Sequence, residues 1–154
     1  MNNQKENREK IAMADLVPVI REVIASGGEF NLFTRGTSMR PTICEGVHSV
    51  MLGAPDDIRA GDILLYEREN GEFVLHRLVR MRGDRLTMCG DNQFILEKGI
   101  PRSSVVAKVT AILQGEKTSK VNNSLHFRLK LASKRTVRRA KRMAYKVYKA
   151  VKKK

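Results

Sequence analysis

The sequence predicts a mostly-β domain with one leading α-helix and a basic amphipathic helix toward its C-terminal end. Three observations carry this. Six short apolar or alternating runs fall between residues 30 and 113, separated by Gly, Pro, Asn and Asp turn signals. A single stretch before them repeats its apolar residues at helical spacing. Beyond residue 134 the apolar period becomes helical again, with Lys and Arg on the other faces.

Residues 1–12 are polar and charged and read as a flexible tail. Asp15 is placed as an N-cap, with Pro18 in the first turn, where a missing N–H costs nothing. Leu16, Val19, Ile20, Val23 and Ile24 form one apolar stripe, expected to pack on the domain, and Gly27-Gly28 ends the helix. From Phe30 the pattern is β. Phe30 and Leu32 alternate, 47–52 is a short apolar run, and 54–57 breaks it. The run 63–66 is the next strand, and Asn70-Gly71 closes a hairpin onto 73–81. A turn at 82–84 leads to 86–89, and 105–113 completes the set. Residues 118–124 read as a polar linker; Leu125, Phe127, Leu129 and Leu131 then alternate. Val137, Ala140, Ala144, Val147 and Val151 share a helical face. The division expected is a tail over 1–12, a folded domain over 13–115 and a basic extension over 116–154.

The charge follows the same division. Residues 1–115 hold fifteen Lys and Arg against fifteen Asp and Glu, whereas 116–154 holds fifteen cations against Glu116 alone, which is the whole net charge of +14. Such a basic arm suits an acidic surface, either anionic lipid or nucleic acid. No window is long and apolar enough for a membrane span, and the charged first ten residues exclude a signal peptide. The expectation is a cytoplasmic protein, with peripheral attachment to a membrane surface as the option that the tail opens. Cys44 and Cys89 are expected to be free thiols. His48, His76 and His126 do not fall at ligand spacings with them, so neither metal nor cofactor is expected.

Three short motifs stand out. Gly36-Thr37-Ser38-Met39-Arg40-Pro41-Thr42 is followed 38 residues after Ser38 by Leu75-His76-Arg77, and Gly90-Asp91-Asn92 comes 15 residues after His76. A serine oxygen is a poor nucleophile until a base takes its proton, and a third group must orient that base. His76 suits the role of base because imidazole is neutral near pH 7. Arg77 is always charged; it is expected to pair with an acid, Asp62 or Asp91. Gly36 permits close backbone approach, Met39 packs beneath the loop, and the Ser38 N–H is a candidate oxyanion donor.

These motifs, with Gly61-Asp62-Ile63-Leu64-Leu65-Tyr66, resemble the boxes of the signal peptidase I superfamily, which also contains self-cleaving repressors of the LexA type. The resemblance spans roughly residues 30–113 and implies a β-ribbon serine endopeptidase domain. It places Ser38 as nucleophile and His76 where many members carry lysine, as in the endoplasmic-reticulum and archaeal type. Asp91 and Glu97, six residues apart, are rivals for the orienting acid. Gly36 stands where many signal peptidases have a hydroxyl donor, which leaves Thr37 and the second oxyanion donor open. The implied substrate is a peptide or precursor protein. The alternatives are a repressor-like regulator and a catalytically inactive peptide-binding module. For residues 134–154 an anionic membrane surface is the favoured partner, ahead of nucleic acid.

Overall fold

A computed structural model describes residues 12–121, together with Ser133, Thr136, Val137, Ala140 and Met143. One helix precedes eight strands that are all antiparallel. Helix α1 spans Met13–Ala25, and the strands are β1 (Phe30–Phe33), β2 (Ser49–Gly53), β3 (Ile63–Glu67), β4 (Phe73–Arg82), β5 (Arg85–Cys89), β6 (Glu97–Pro101), β7 (Val105–Gln114) and β8 (Lys117–Lys120). They form one sheet in the order β1-β2-β7-β3-β4-β5-β6, with β8 paired to β7.

The core lies on both faces of this sheet. Along β3, Ile63 and Leu65 join a cluster with Val17, Ile20, Met39, Ile43 and Val50, while Leu64 and Tyr66 join another with Ile58, Leu78, Leu86 and Met88. Successive side chains on a strand point to opposite faces, so a strand covered on both sides reads as an unbroken apolar run. That is why 63–66 carries no polar alternation.

Helix α1 begins earlier than the sequence suggests. Ala12 is the N-cap, Asp15 lies in the first turn, and Pro18 sits inside the helix. The stripe is also rotated: Val17 and Ile20 are buried, and Val19 is 46% exposed. Burying two such side chains is worth about 3–6 kcal/mol, which holds α1 against the sheet. The C-terminal end follows expectation. Gly27 has φ +82°, its N–H meets the Ile24 carbonyl, and the Gly28 N–H reaches Val23 O at 2.9 Å.

Two strands escape the sequence pattern. β6 holds a glycine and a proline, and its pairing with β5 shifts register between Leu86 and Thr87, which places Gly99 (φ +79°) at the bulge. β8 is polar throughout and is held by its pairing to β7 across the Gly115-Glu116 turn. The sheet therefore continues past residue 115, and Val121 packs against the first cluster. Apart from four isolated exposed positions, the expected basic helix over 134–154 lies outside the described residues, as do Leu125, Phe127, Leu129 and Leu131.

Candidate active site

Ser38 sits in the loop between β1 and β2. The loop is anchored from below by Met39 and Ile43, both buried in the core cluster that α1 covers. It is closed at its base by two hydrogen bonds, from the Gly36 N–H to Glu45 Oε2 (2.9 Å) and from the Cys44 N–H to His48 Nδ1 (3.0 Å). The Arg40 N–H donates to Thr37 O and the Ile43 N–H to Met39 O, which winds the segment into a tight turn around Ser38. Gly36 is needed for a different reason than close approach. A Cβ there would meet nothing within 4 Å, but φ is +92°, a conformation that L side chains rarely adopt. Among the described residues neither the N–H nor the hydroxyl of Ser38 makes a hydrogen bond.

The close approach falls instead at Gly90. A Cβ on Gly90 would stand 2.7 Å from Ser38 O. The Asn92 N–H donates to that same carbonyl at 2.7 Å, and Asn92 Nδ2 donates to Thr37 O at 3.2 Å. Asp91 accepts from the Thr42 hydroxyl at 2.5 Å and binds the Arg77 guanidinium in a two-pronged pair, at 2.9 Å to Oδ1 and 2.7 Å to Oδ2. Arg77 also donates to Gly61 O at 2.7 Å. Of the two acids open to Arg77, Asp91 forms the two-pronged pair; Asp62 accepts from the Arg59 N–H. Arg77 is only 2% exposed, and burying a charge demands such pairing. Gly90-Asp91-Asn92 thus rivets the serine loop to β4.

His76 is the neighbour of Arg77 on β4 and faces the other side of the sheet, opposite Leu64 in the β3–β4 register. Tyr66 stands two residues along β3 on that face, and Glu97 on β6 lies opposite Met88, which belongs to the same face. Imidazole Nδ1 is 3.2 Å from the Tyr66 hydroxyl and 3.1 Å from Glu97 Oε1. The Tyr66 hydroxyl donates to Glu97 Oε2 at 2.8 Å, and Arg68 grips both carboxylate oxygens, at 3.0 Å and 2.5 Å. The arrangement brings Glu97 onto the imidazole and assigns Asp91 to Arg77.

The electrostatics follow from these contacts. Burial pushes the His76 pKa below its ordinary value; the Glu97 charge pushes the other way and is outweighed. Burial alone would raise Glu97, but hydrogen bonds from Arg68 and Tyr66 prevail and hold its carboxyl below the ordinary value. Burial and the adjacent carboxylate push the Tyr66 phenol well up, so it stays a donor. A neutral imidazole next to an ionised carboxylate carries its proton on Nδ1, because a bare lone pair there would face Oε1. Nε2 is then the acceptor, which is the form a general base requires.

Thr42, Tyr66 and Asn92 stand within the motifs but carry roles that the sequence did not assign them, and Arg68 lies outside the motifs. Tyr66 shares a face with His76, which only the β3–β4 register makes visible, and Arg68, just past the end of β3, joins them through Glu97. Cys44 and Cys89 form no disulfide. Among the described residues no His, Cys, Asp and Glu cluster fits a metal ion, and no helix is long and apolar enough to cross a membrane.

No curated protein matches the chain, and no solved structure does. A family model does: the one described as Peptidase S24-like matches residues 3–110. That span takes in the Ser38 loop, the β4 His76–Arg77 pair, the Gly90-Asp91-Asn92 rivet and Glu97. Family membership brings the shared fold and not the reaction, since the family holds serine peptidases and non-catalytic LexA-like members alike. With its antiparallel sheet, its single N-terminal helix and this match over more than half its length, the chain belongs to the Peptidase S24-like family, within the LexA and signal peptidase superfamily.

Proposed function

We propose that the chain is a serine endopeptidase that works through Ser38 and His76, with Glu97 rather than Asp91 as the orienting acid. The observation that carries this reading is the Glu97 carboxylate 3.1 Å from His76 Nδ1, on a base whose burial keeps it neutral. Ser38 Oγ adds to a peptide carbonyl as His76 Nε2 takes its proton. The tetrahedral adduct expels the amine, which receives that proton from His76, and leaves an acyl-enzyme. Water, deprotonated by the same nitrogen, then attacks the ester and frees Ser38. The Ser38 N–H, without a partner among the described residues, supplies one oxyanion donor. Ser38 and His76 share no hydrogen bond among the described residues, and the serine loop is tied to the Arg77 side of β4. This reading therefore requires the two to be brought together when substrate binds, as contacts that are long in a free enzyme tighten around substrate. Relatives by resemblance take extended peptides that add as a strand, and the same class is proposed here.

A non-catalytic peptide-binding or repressor-like role is the competing reading, and the unpartnered Ser38 hydroxyl is what favours it. The experiment incubates the full chain with a peptide library and reads new termini by mass spectrometry. Cleavage that vanishes in Ser38→Ala, with Tm unchanged, supports the peptidase. Binding without new termini, or cleavage that survives the substitution, refutes it. For the basic segment after residue 121 an anionic membrane surface is proposed, on the strength of its charge alone.

A further inference from the structure

We infer that Tyr66 and Arg68 are positioning residues for the candidate base: they hold Glu97 ionised and aimed at His76 Nδ1, and so keep Nε2 free to accept a proton. The inference rests on the reading of His76 as the base, and it adds two residues to which that reading gave no role.

Glu97 by itself is poorly constrained. It lies at the start of β6, at the end of the five-residue connection from the Asp91 rivet, and its side chain is 20% exposed. A carboxylate so placed has two rotatable oxygens and water as a competitor. Three donors remove that freedom. Arg68 Nε and the Tyr66 hydroxyl both meet Oε2, and Arg68 Nη2 meets Oε1. Oε1 retains a lone pair, and His76 Nδ1 occupies it at 3.1 Å. The planar guanidinium fork fixes the carboxylate plane, which a single ammonium would not do.

Tyr66 contributes a second constraint. Its hydroxyl carries one proton and gives it to Glu97, so toward Nδ1 at 3.2 Å it presents oxygen. Both atoms facing Nδ1, Glu97 Oε1 and Tyr66 Oη, are therefore acceptors. Each alternative proton placement leaves an oxygen facing a bare nitrogen lone pair in a site where the imidazole is only 2% exposed. Arg68 is in turn steadied from the hairpin turn, where Nη1 binds Glu72 Oε2 at 2.9 Å and the Glu72 N–H is held by Asn70 Oδ1 at 3.1 Å. The Asn70-Gly71 turn, read from sequence as a simple hairpin closure, thus also orders the residue that clamps the acid.

The test reads the imidazole directly, so it does not depend on a substrate. Full-length protein carrying Ser38→Ala is labelled with ¹⁵N-histidine, and the His76 ring nitrogens are followed by NMR from pH 4 to 9, alone and combined with Tyr66→Phe or Arg68→Gln. The parent should show the Nδ1–H tautomer. Both variants should raise the His76 pKa and reduce the share of that tautomer, because a less neutralised Glu97 favours imidazolium and a looser one stops selecting the proton's position. With Ser38 restored and a substrate in hand, each should lower kcat about 10–100-fold at little change in KM, by analogy with the loss of an outer partner of a metal-bound histidine. Arg68→Lys, which keeps the charge and loses the fork, should recover the pKa and not the tautomer. Arg68 is only partly buried, so Arg68→Gln folds even if Tyr66→Phe does not. An unchanged tautomer and pKa in the folded variants overturns the inference. A changed tautomer in a protein that cleaves without Ser38 leaves the inference standing and removes the peptidase reading instead.

Discussion

Asp91→Asn and Glu97→Gln should separate stability from rate. Asp91 takes two hydrogen bonds from Arg77, a guanidinium 2% exposed to solvent. Hydrogen bonds to charged groups are worth about 1.5–3 kcal/mol each, and breaking a buried ion pair costs about 3–5 kcal/mol. Asparagine keeps the shape and one acceptor, so the loss should be near the lower end, about 3 kcal/mol. For a domain of this size that is a fall of about 10–20 °C in Tm. Glu97 accepts three hydrogen bonds but is 20% exposed, so glutamine, which keeps one acceptor, should cost less than Asp91→Asn, about 1–2 kcal/mol. The rates should reverse this order. Glu97→Gln removes the charge facing Nδ1, and an amide can present its N–H there and select the wrong tautomer, so kcat should fall about 10²–10⁴-fold. Asp91→Asn, assayed well below its own Tm, should retain most of its kcat. Thermal unfolding followed by circular dichroism gives one axis and peptide cleavage the other. If Asp91→Asn melts with the parent while losing turnover, the acids have been assigned the wrong way round.

The acidic limb of the pH–rate profile should fall below the ordinary histidine value of about 6.5, because burial lowers the His76 pKa. By the same shift the unfolded chain binds the proton more readily, so the stability that His76 contributes is present above about pH 6.5 and is lost as pH falls through the lowered folded value; urea titrations at several pH values check this. Gly90→Ala should cost about 1–3 kcal/mol and reduce activity, since its methyl would stand 2.7 Å from Ser38 O and push the serine loop; an alanine variant with parental Tm and rate would refute that packing. Truncation after Val121, which spares β8 and its contact with the core, should abolish salt-sensitive binding to anionic vesicles, worth about 1 kcal/mol per cation, and leave peptide cleavage intact. Binding to nucleic acid at the same ionic strength, without lipid binding, would overturn the membrane proposal.

Local pattern was enough for much of this protein. Unbroken or alternating apolar runs mark β1 to β5 and β7, because a strand's period is two and its burial shows in one or both registers. The Gly-x-Ser-Met turn, the histidine in its strand and the Gly-Asp-Asn box are legible because each is a short contiguous segment with demanding backbone chemistry. β6 and β8 were not legible: one is bulged at Gly99, the other is wholly polar, and both are strands because of backbone pairing to the preceding strand, which leaves no apolar pattern in their own residues. The partners of His76 come from β3 and β6, 10 and 21 residues away along the chain. Register decides which of them share its face. Asp91 and Glu97 look interchangeable as carboxylates in sequence. Adjacent residues of β4 point to opposite sides of the sheet, so Arg77 takes one acid and His76 the other, and only the folded sheet makes that choice.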